Sequence, residues 1–259
     1  MSKSTGVAPH FLWVKSSHWI ITIVFLLLTF TGVEILMVHP RLYWGETGND
    51  LTPALFELPI SRNYKHGGFE KSTPFYDGKD SPVSAGRTYD IFNQNGWGRS
   101  LHFLSAWILV ITGACYLIFG FFTGHFQRHV VPRRKEFSFR LFLQDFKDHL
   151  RMRIRAATYG PEYGLLQKFA YASVIFIVLP LMVITGFTMA PAITRSFPFL
   201  LTMFGGFQSA RTIHFFASIA LELFLIVHIV MVISSGFKTQ IRAMTIGNRY
   251  EKKKDIHAS

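Results

Sequence analysis

The sequence predicts an all-α integral membrane protein: a four-transmembrane-helix bundle with a long extracytoplasmic loop and an amphipathic cytoplasmic helix, forming one domain over residues 1–259. Three observations predict it. Hydrophobic residues make up 49% of the chain against 16% charged, with a mean hydropathy of +0.27, a membrane-protein balance. Four apolar runs are each long enough to cross a bilayer. Lys and Arg are concentrated in particular links between those runs.

The first run, Trp19 to Val38, has twenty residues, enough at about 1.5 Å rise per residue to cross a hydrocarbon layer of about 30 Å. It exceeds a signal-peptide core and lacks a small-residue cleavage site, so it is expected to stay attached. The second run is Leu101 to Phe122. The third, Leu165 to Met189, contains Pro180, tolerated in membranes where neighbours or local distortion satisfy the freed carbonyl. The fourth is Ile213 to Ile233. With flanks, the predicted spans are 17–38, 101–123, 165–189 and 211–235.

The links set the orientation. Residues 124–168 hold ten Lys or Arg against four acids, and the tail from Phe237 holds six against two, whereas 190–210 supplies only Arg195. The positive-inside tendency makes the inner loop 124–164 and the C-terminus cytoplasmic, and four spans then place the N-terminus, with Lys3 and Lys15, there too. The loop 39–98 is then periplasmic or extracellular; six basic and seven acidic residues among many Gly, Pro, Asn and Asp predict an irregular, ordered cap. In the inner link Phe139, Phe142, Leu143, Phe146, Leu150 and Ile154 recur at helical spacing between charges, the pattern of a helix in the headgroup plane or of one that docks a partner. The net charge of +12 thus follows membrane topology, and no nucleic-acid partner is expected. The 27 Phe residues read as lipid-facing and inter-helix packing, and RYEKKKD at 249–255 as a solvated topology signal. Lone Cys115 excludes an internal disulfide, a CxxC zinc site and CxxCH haem attachment.

Of eleven histidines, only His18, His102, His214 and His228 lie within or at the rim of the spans, where ionisable side chains default to functional hypotheses. Fourteen residues separate His214 from His228, so on an ideal helix they face within about 40° of each other, about 21 Å apart in height. His18 is level with His228 at the inner surface and His102 with His214 at the outer. Two cross-bundle pairs result, His18 with His228 and His102 with His214. Two facing imidazoles suit bis-His iron in a non-covalent haem; zinc would want four ligands at short spacing, and no such cluster appears.

Room and charge agree. Gly32, fourteen residues after His18, and Gly113, eleven after His102, fall on the ligating faces at the height of the opposite pair, where a porphyrin needs small neighbours. Lys15, Arg99 and Arg211 each stand three residues before a proposed ligand, placed for haem propionates. The stretches GRSLHF (98–103) and ARTIHF (210–215) are almost alike, which one shared task explains better than flanking charge. Glu34 reads as an interface carboxylate, snorkelling or hydrogen-bonded. Glu222 reads as neutral or paired. His125, His129 and His149 read as surface residues of the inner link.

These residues, with HPRLYWGETG (39–48) and GHFQRHVVP (124–132), resemble the bacterial cytochrome b561 and nickel-iron hydrogenase b-type cytochrome superfamily, nearest the thiosulfate reductase cytochrome b subunit and more distantly the formate dehydrogenase gamma subunit. The resemblance covers nearly the whole chain. It implies two haems b (protohaem IX) on His18, His102, His214 and His228. It implies an electron-transfer membrane subunit of a quinone-linked oxidoreductase complex in the bacterial inner membrane, with quinone or quinol as substrate. Its partner would be a periplasmic redox subunit: a molybdopterin or iron-sulfur protein, or a cytochrome c. Trp44, Tyr64 and Tyr89 of the cap would offer the docking surface, and Trp13 and Lys15 would border a quinone pocket near the inner haem. A stand-alone b561-type superoxide:quinone oxidoreductase is the alternative, against which a sixty-residue cap argues. A haem or metal transporter is a third class, for which doubly ligated sites that hold their cargo are poorly suited.

Overall fold

The computed structural model of the chain describes residues 11–49, 52–60, 95–132, 139–150 and 165–245. In chain order these form α1 (Leu12–Val38), β1 (Arg41–Leu42), β2 (Phe56–Glu57), α2 (Asn95–Phe122), a π-helical turn (Phe126–Val130), α3 (Phe139–Leu150) and α4 (Leu165–Ser173). A second π-helical turn (Val174–Val178) leads into α5 (Leu179–Thr188), followed by α6 (Pro191–Ser196), α7 (Phe199–Phe204), α8 (Phe207–Ser234) and α9 (Phe237–Met244). Four stretches are long and apolar enough to cross a membrane: Leu12–Val38, Gly96–Phe122, Leu165–Thr188 and Phe207–Ser234, of 27, 27, 24 and 28 residues. Their outward faces carry large apolar side chains such as Ile23, Leu104, Ile177 and Ile226, which water would penalise and lipid does not. The chain is a multi-pass helical membrane protein.

Three of these helices begin well before the apolar runs, at Leu12, Asn95 and Phe207, because a helix already formed extends through polar residues at small cost per turn. The third is interrupted. Pro180 stands at the start of α5; it donates no hydrogen bond and its ring crowds the preceding turn, and the π-helical turn Val174–Val178 lies directly ahead of it.

The described chain divides into two compact units. The first comprises residues 1–20, 112–177 and 221–259, the second 21–111 and 178–220. In the first, α4 packs on α3 and on the first π-helical turn. The Asp145 carboxylate on α3 accepts from the Leu166 N–H at 2.9 Å, capping α4. The Trp19 indole N–H donates to Met244 O at 3.0 Å and ties α9 to α1. Phe126 is almost fully buried among Tyr116, Phe121 and Phe176. A Cβ on Gly120 would run into its ring.

In the second unit the segment after α1 is clamped on the start of α8. β1 and β2 pair antiparallel, Arg41 opposite Glu57 and Leu42 opposite Phe56, so the cap holds a small hairpin where an irregular structure was expected. Gly45 O accepts from the Gln208 and Ser209 N–H groups at 2.9 and 3.2 Å. The Gly45 N–H donates to Ser209 Oγ at 2.7 Å, and Thr212 Oγ1 donates to Tyr43 O at 2.6 Å. The Glu46 carboxylate accepts from the Phe207 N–H at 3.2 Å, placing an anion at a helix N-terminus. Gly206 (φ +115) permits this approach: a Cβ there would lie 2.5 Å from the Gly45 backbone. Leu42, Ala210, Thr31, Glu34, Thr185 and Ser209 are fully buried in this unit, a core of small and polar residues typical of close helix packing in membranes.

Tyr64, Tyr89, Ile154 and the tail 249–255 lie outside the described residues, as does most of the 39–98 loop.

Candidate functional site

The four span histidines fall two to a unit. In the first unit His18 on α1 faces His228 on α8 with ring centroids 6.3 Å apart. With a metal–imidazole bond of about 2 Å and a ring radius of about 1.2 Å, two imidazoles that would hold one iron between them would stand roughly 6 Å apart between centroids. The observed spacing fits one iron between them. His228 is stacked on Phe224 at 5.9 Å, with Tyr171 edge-on at 6.3 Å. Gly113 belongs to this unit, and a Cβ there would meet nothing within 4 Å.

In the second unit lie His102 on α2 and His214 on α8. Each is held by a threonine from another helix. His102 Nδ1 is 2.9 Å from Thr31 Oγ1 on α1, and His214 Nδ1 is 2.9 Å from Thr185 Oγ1 on α5. Each hydroxyl also lies 2.7 Å from the carbonyl four residues back, of Leu27 and Leu181 respectively. Where the hydroxyl gives its single proton to that carbonyl, which can only accept, it is left to accept from Nδ1–H. A neutral imidazole carrying its proton on Nδ1 presents the Nε2 lone pair to a metal. The glycines following both threonines leave space: Cβ atoms on Gly32 and Gly186 would stand 3.7 and 3.6 Å from the Cε1 atoms of His102 and His214.

Among the described residues no three His, Cys, Asp or Glu side chains converge. Each pair therefore offers two protein nitrogens, too few for a tetrahedral protein-built site and the right number for a porphyrin that brings its own four. Spacing, tautomer and room fit haem.

The remaining predicted residues are placed as follows. Lys15 is 8% exposed, in a unit that also buries Lys168 and His125. Trp13 packs on Tyr116 at 5.4 Å, Phe119 at 6.1 Å and His125 at 5.2 Å. His125 is thus buried in an aromatic cluster and is not the surface residue its basic link suggested. The side chains of His129 and His149 lie outside the description. Arg99 is exposed. Arg211 reaches the cap: its guanidinium donates to Arg41 O at 3.2 Å, to Gln208 Oε1 at 3.4 Å and to His39 O. That anchoring and a propionate contact draw on the same five N–H donors. Glu34 is fully buried, with its carboxylate where a Cβ of Gly98 would sit; burial excludes snorkelling. Glu222 is half-buried.

Membrane-crossing helices that carry paired, oriented imidazoles define a membrane cytochrome of the b type. The chain belongs to the prokaryotic cytochrome b561 family, whose model matches residues 10–247 and so includes all four histidines. Membership implies b-type haem and membrane electron transfer. Among characterised proteins the chain is 26% identical, over 225 residues, to a putative protein-methionine-sulfoxide reductase subunit, YedZ1, of Azospira oryzae; the match covers 87% of this chain and 90% of that protein. No solved structure matches.

Proposed function

We propose that the chain is the di-haem b-type cytochrome subunit of a quinone-linked complex, passing electrons between the membrane quinone pool and a periplasmic redox subunit, a molybdopterin oxidoreductase. The observation that carries the reading is the division of the four histidines into one pair per unit, with the His18–His228 spacing fitting a single iron. His18 and His228 hold one haem b, and His102 and His214 the other. Bound haem supplies one-electron ferric–ferrous chemistry. The chain's own contribution is to hold the imidazoles from different helices, to orient them and to exclude water. Helix α8 carries one ligand of each pair, which gives the two sites a common support.

Lys15 and Arg99, together with Arg211, are the cations for the propionates. The aromatic cluster of Trp13 and Tyr116, beside buried His125 and Lys15, is the proposed quinone border: flat rings accommodate a quinone headgroup, and the imidazole and ammonium can donate to its carbonyls. The relative from Azospira, by its name, serves as the subunit of a methionine-sulfoxide reductase, which supports a partner enzyme for this chain. The described start of the cap, clamped on α8 through Tyr43 and Gly45, is the part of the docking surface that we assign to such a partner. The protein is assigned to the bacterial inner membrane with both termini cytoplasmic, on the distribution of basic residues.

Rapid mixing of a reduced quinol with the protein in lipid nanodiscs tests the function. Both haems are expected to reduce, and Trp13→Ala to slow that step while haem content holds. Isolation from native membranes is expected to bring a periplasmic redox subunit. Oxidised haem that stays oxidised with every quinol, in material that carries no second subunit, contradicts the assignment.

A further inference from the structure

The surroundings of His102 and His214 repeat. Thr31-Gly32 on α1 and Thr185-Gly186 on α5 are the same dipeptide, and each serves a histidine on a different helix. Both hydroxyls stand 2.9 Å from Nδ1. Each also lies 2.7 Å from its own carbonyl four residues back. A Cβ added to either glycine would stand in ordinary contact with Cε1 of the histidine it faces, at 3.7 Å from His102 and 3.6 Å from His214. Thr31 and Thr185 are fully buried, so no water competes for either bond. Two segments 154 residues apart in sequence have arrived at one geometry, which packing alone does not require.

We infer that Thr31 and Thr185 are positioning residues of the His102–His214 site: their hydroxyls accept from the Nδ1–H groups, fix Nε2 as the ligating nitrogen and raise its basicity. The inference rests on the reading of that pair as haem ligands. The physical cause is polarisation. A hydroxyl whose proton is committed to a carbonyl is an improved acceptor, and an imidazole that donates from Nδ1 carries more electron density at Nε2. A more basic axial nitrogen stabilises ferric over ferrous iron, so the two threonines together hold the reduction potential of this site down.

Valine keeps the shape of threonine and removes the hydroxyl, both the acceptor facing Nδ1 and the donor to the helix's own carbonyl. The full-length protein, purified with its native haem, is compared as wild type, Thr31→Val, Thr185→Val, the double variant, and Thr31→Ser and Thr185→Ser. The readouts are haem-to-protein ratio, potentiometric titration and the low-spin ferric resonances at low temperature. Each valine variant is expected to raise one of two midpoint potentials and shift one resonance, the other remaining fixed. The double variant moves further, and each serine variant returns toward wild type. Should a valine variant lose one haem, retention of both haems at wild-type potential in the serine variant supports the same role, because serine restores the hydroxyl while filling less space than valine. Unchanged potentials and resonances in both valine variants, or haem loss in valine and serine variants alike, overturn it. Wild-type protein without haem, or a His102→Ala variant that keeps both potentials, instead defeats the underlying assignment of ligands.

Discussion

Replacing Gly206 by alanine separates two costs that usually arrive together. Gly206 and Gly45 both adopt positive φ, +115 and +98, yet a Cβ on Gly45 meets nothing within 4 Å whereas one on Gly206 meets Gly45 C and O at 2.5 Å and Glu46 N at 2.6 Å. Gly45→Ala therefore incurs only the left-handed backbone penalty, about 1–2 kcal/mol. Gly206→Ala incurs the same penalty and an overlap with backbone atoms, which cannot rotate away. Relief requires Gly45 to lift from α8, with loss of the bonds from the Gln208 and Ser209 N–H groups to Gly45 O and from the Gly45 N–H to Ser209 Oγ. At about 1 kcal/mol net for each of these bonds, added to the backbone penalty, the second variant loses about 4–5 kcal/mol. Thermal unfolding of both variants in one detergent, followed by circular dichroism, should rank wild type above Gly45→Ala and Gly45→Ala well above Gly206→Ala. Equal transition temperatures for the two variants would refute the clamp.

Further outcomes follow from the first unit. Asp145→Ala removes the acceptor at the start of α4 and should cost about 0.5–2 kcal/mol, with faster hydrogen exchange at the Leu166 amide. Trp19→Phe deletes the donor to Met244 O; exchange should accelerate across 237–244, by the factor that about 1 kcal/mol implies, and leave α8 protected. Gly120→Val drives a side chain into the Phe126 ring and should destabilise by about 1–3 kcal/mol as overpacking does, visible as a lower transition temperature.

The four spans were legible because bilayer thickness writes itself into run length; the fourteen residues between His214 and His228, nearly four helical turns, put both on one side of their helix. What no single helix states is what arrives from its neighbours. Thr31 and Thr185 read locally as helix threonines bonded to their own preceding turns; their second partner comes from another helix. The Thr-Gly dipeptide is no signal by itself, since it also occurs at Thr5, Thr47, Thr112 and Thr123. His125 was misread because a basic link suggests solvent, while its ring is taken up by Trp13 and Tyr116. Arg211 stands where an anion would suit it, but the cap carbonyls of His39 and Arg41 come from a distant segment. The π-helical turn ahead of Pro180 shows the reverse case, in which a single residue foretold a local distortion whose form depended on packing.

The central claim is that two haems are each held by one histidine pair. A reduced-minus-oxidised spectrum of the purified protein, combined with haem and protein quantification, tests it most directly. Two b-type haems per chain are predicted for wild type, and about one for each of His18→Ala, His102→Ala, His214→Ala and His228→Ala, with His18 and His228 variants losing one spectral component and His102 and His214 variants the other. Colourless wild-type protein, or two haems in all four variants, would contradict it.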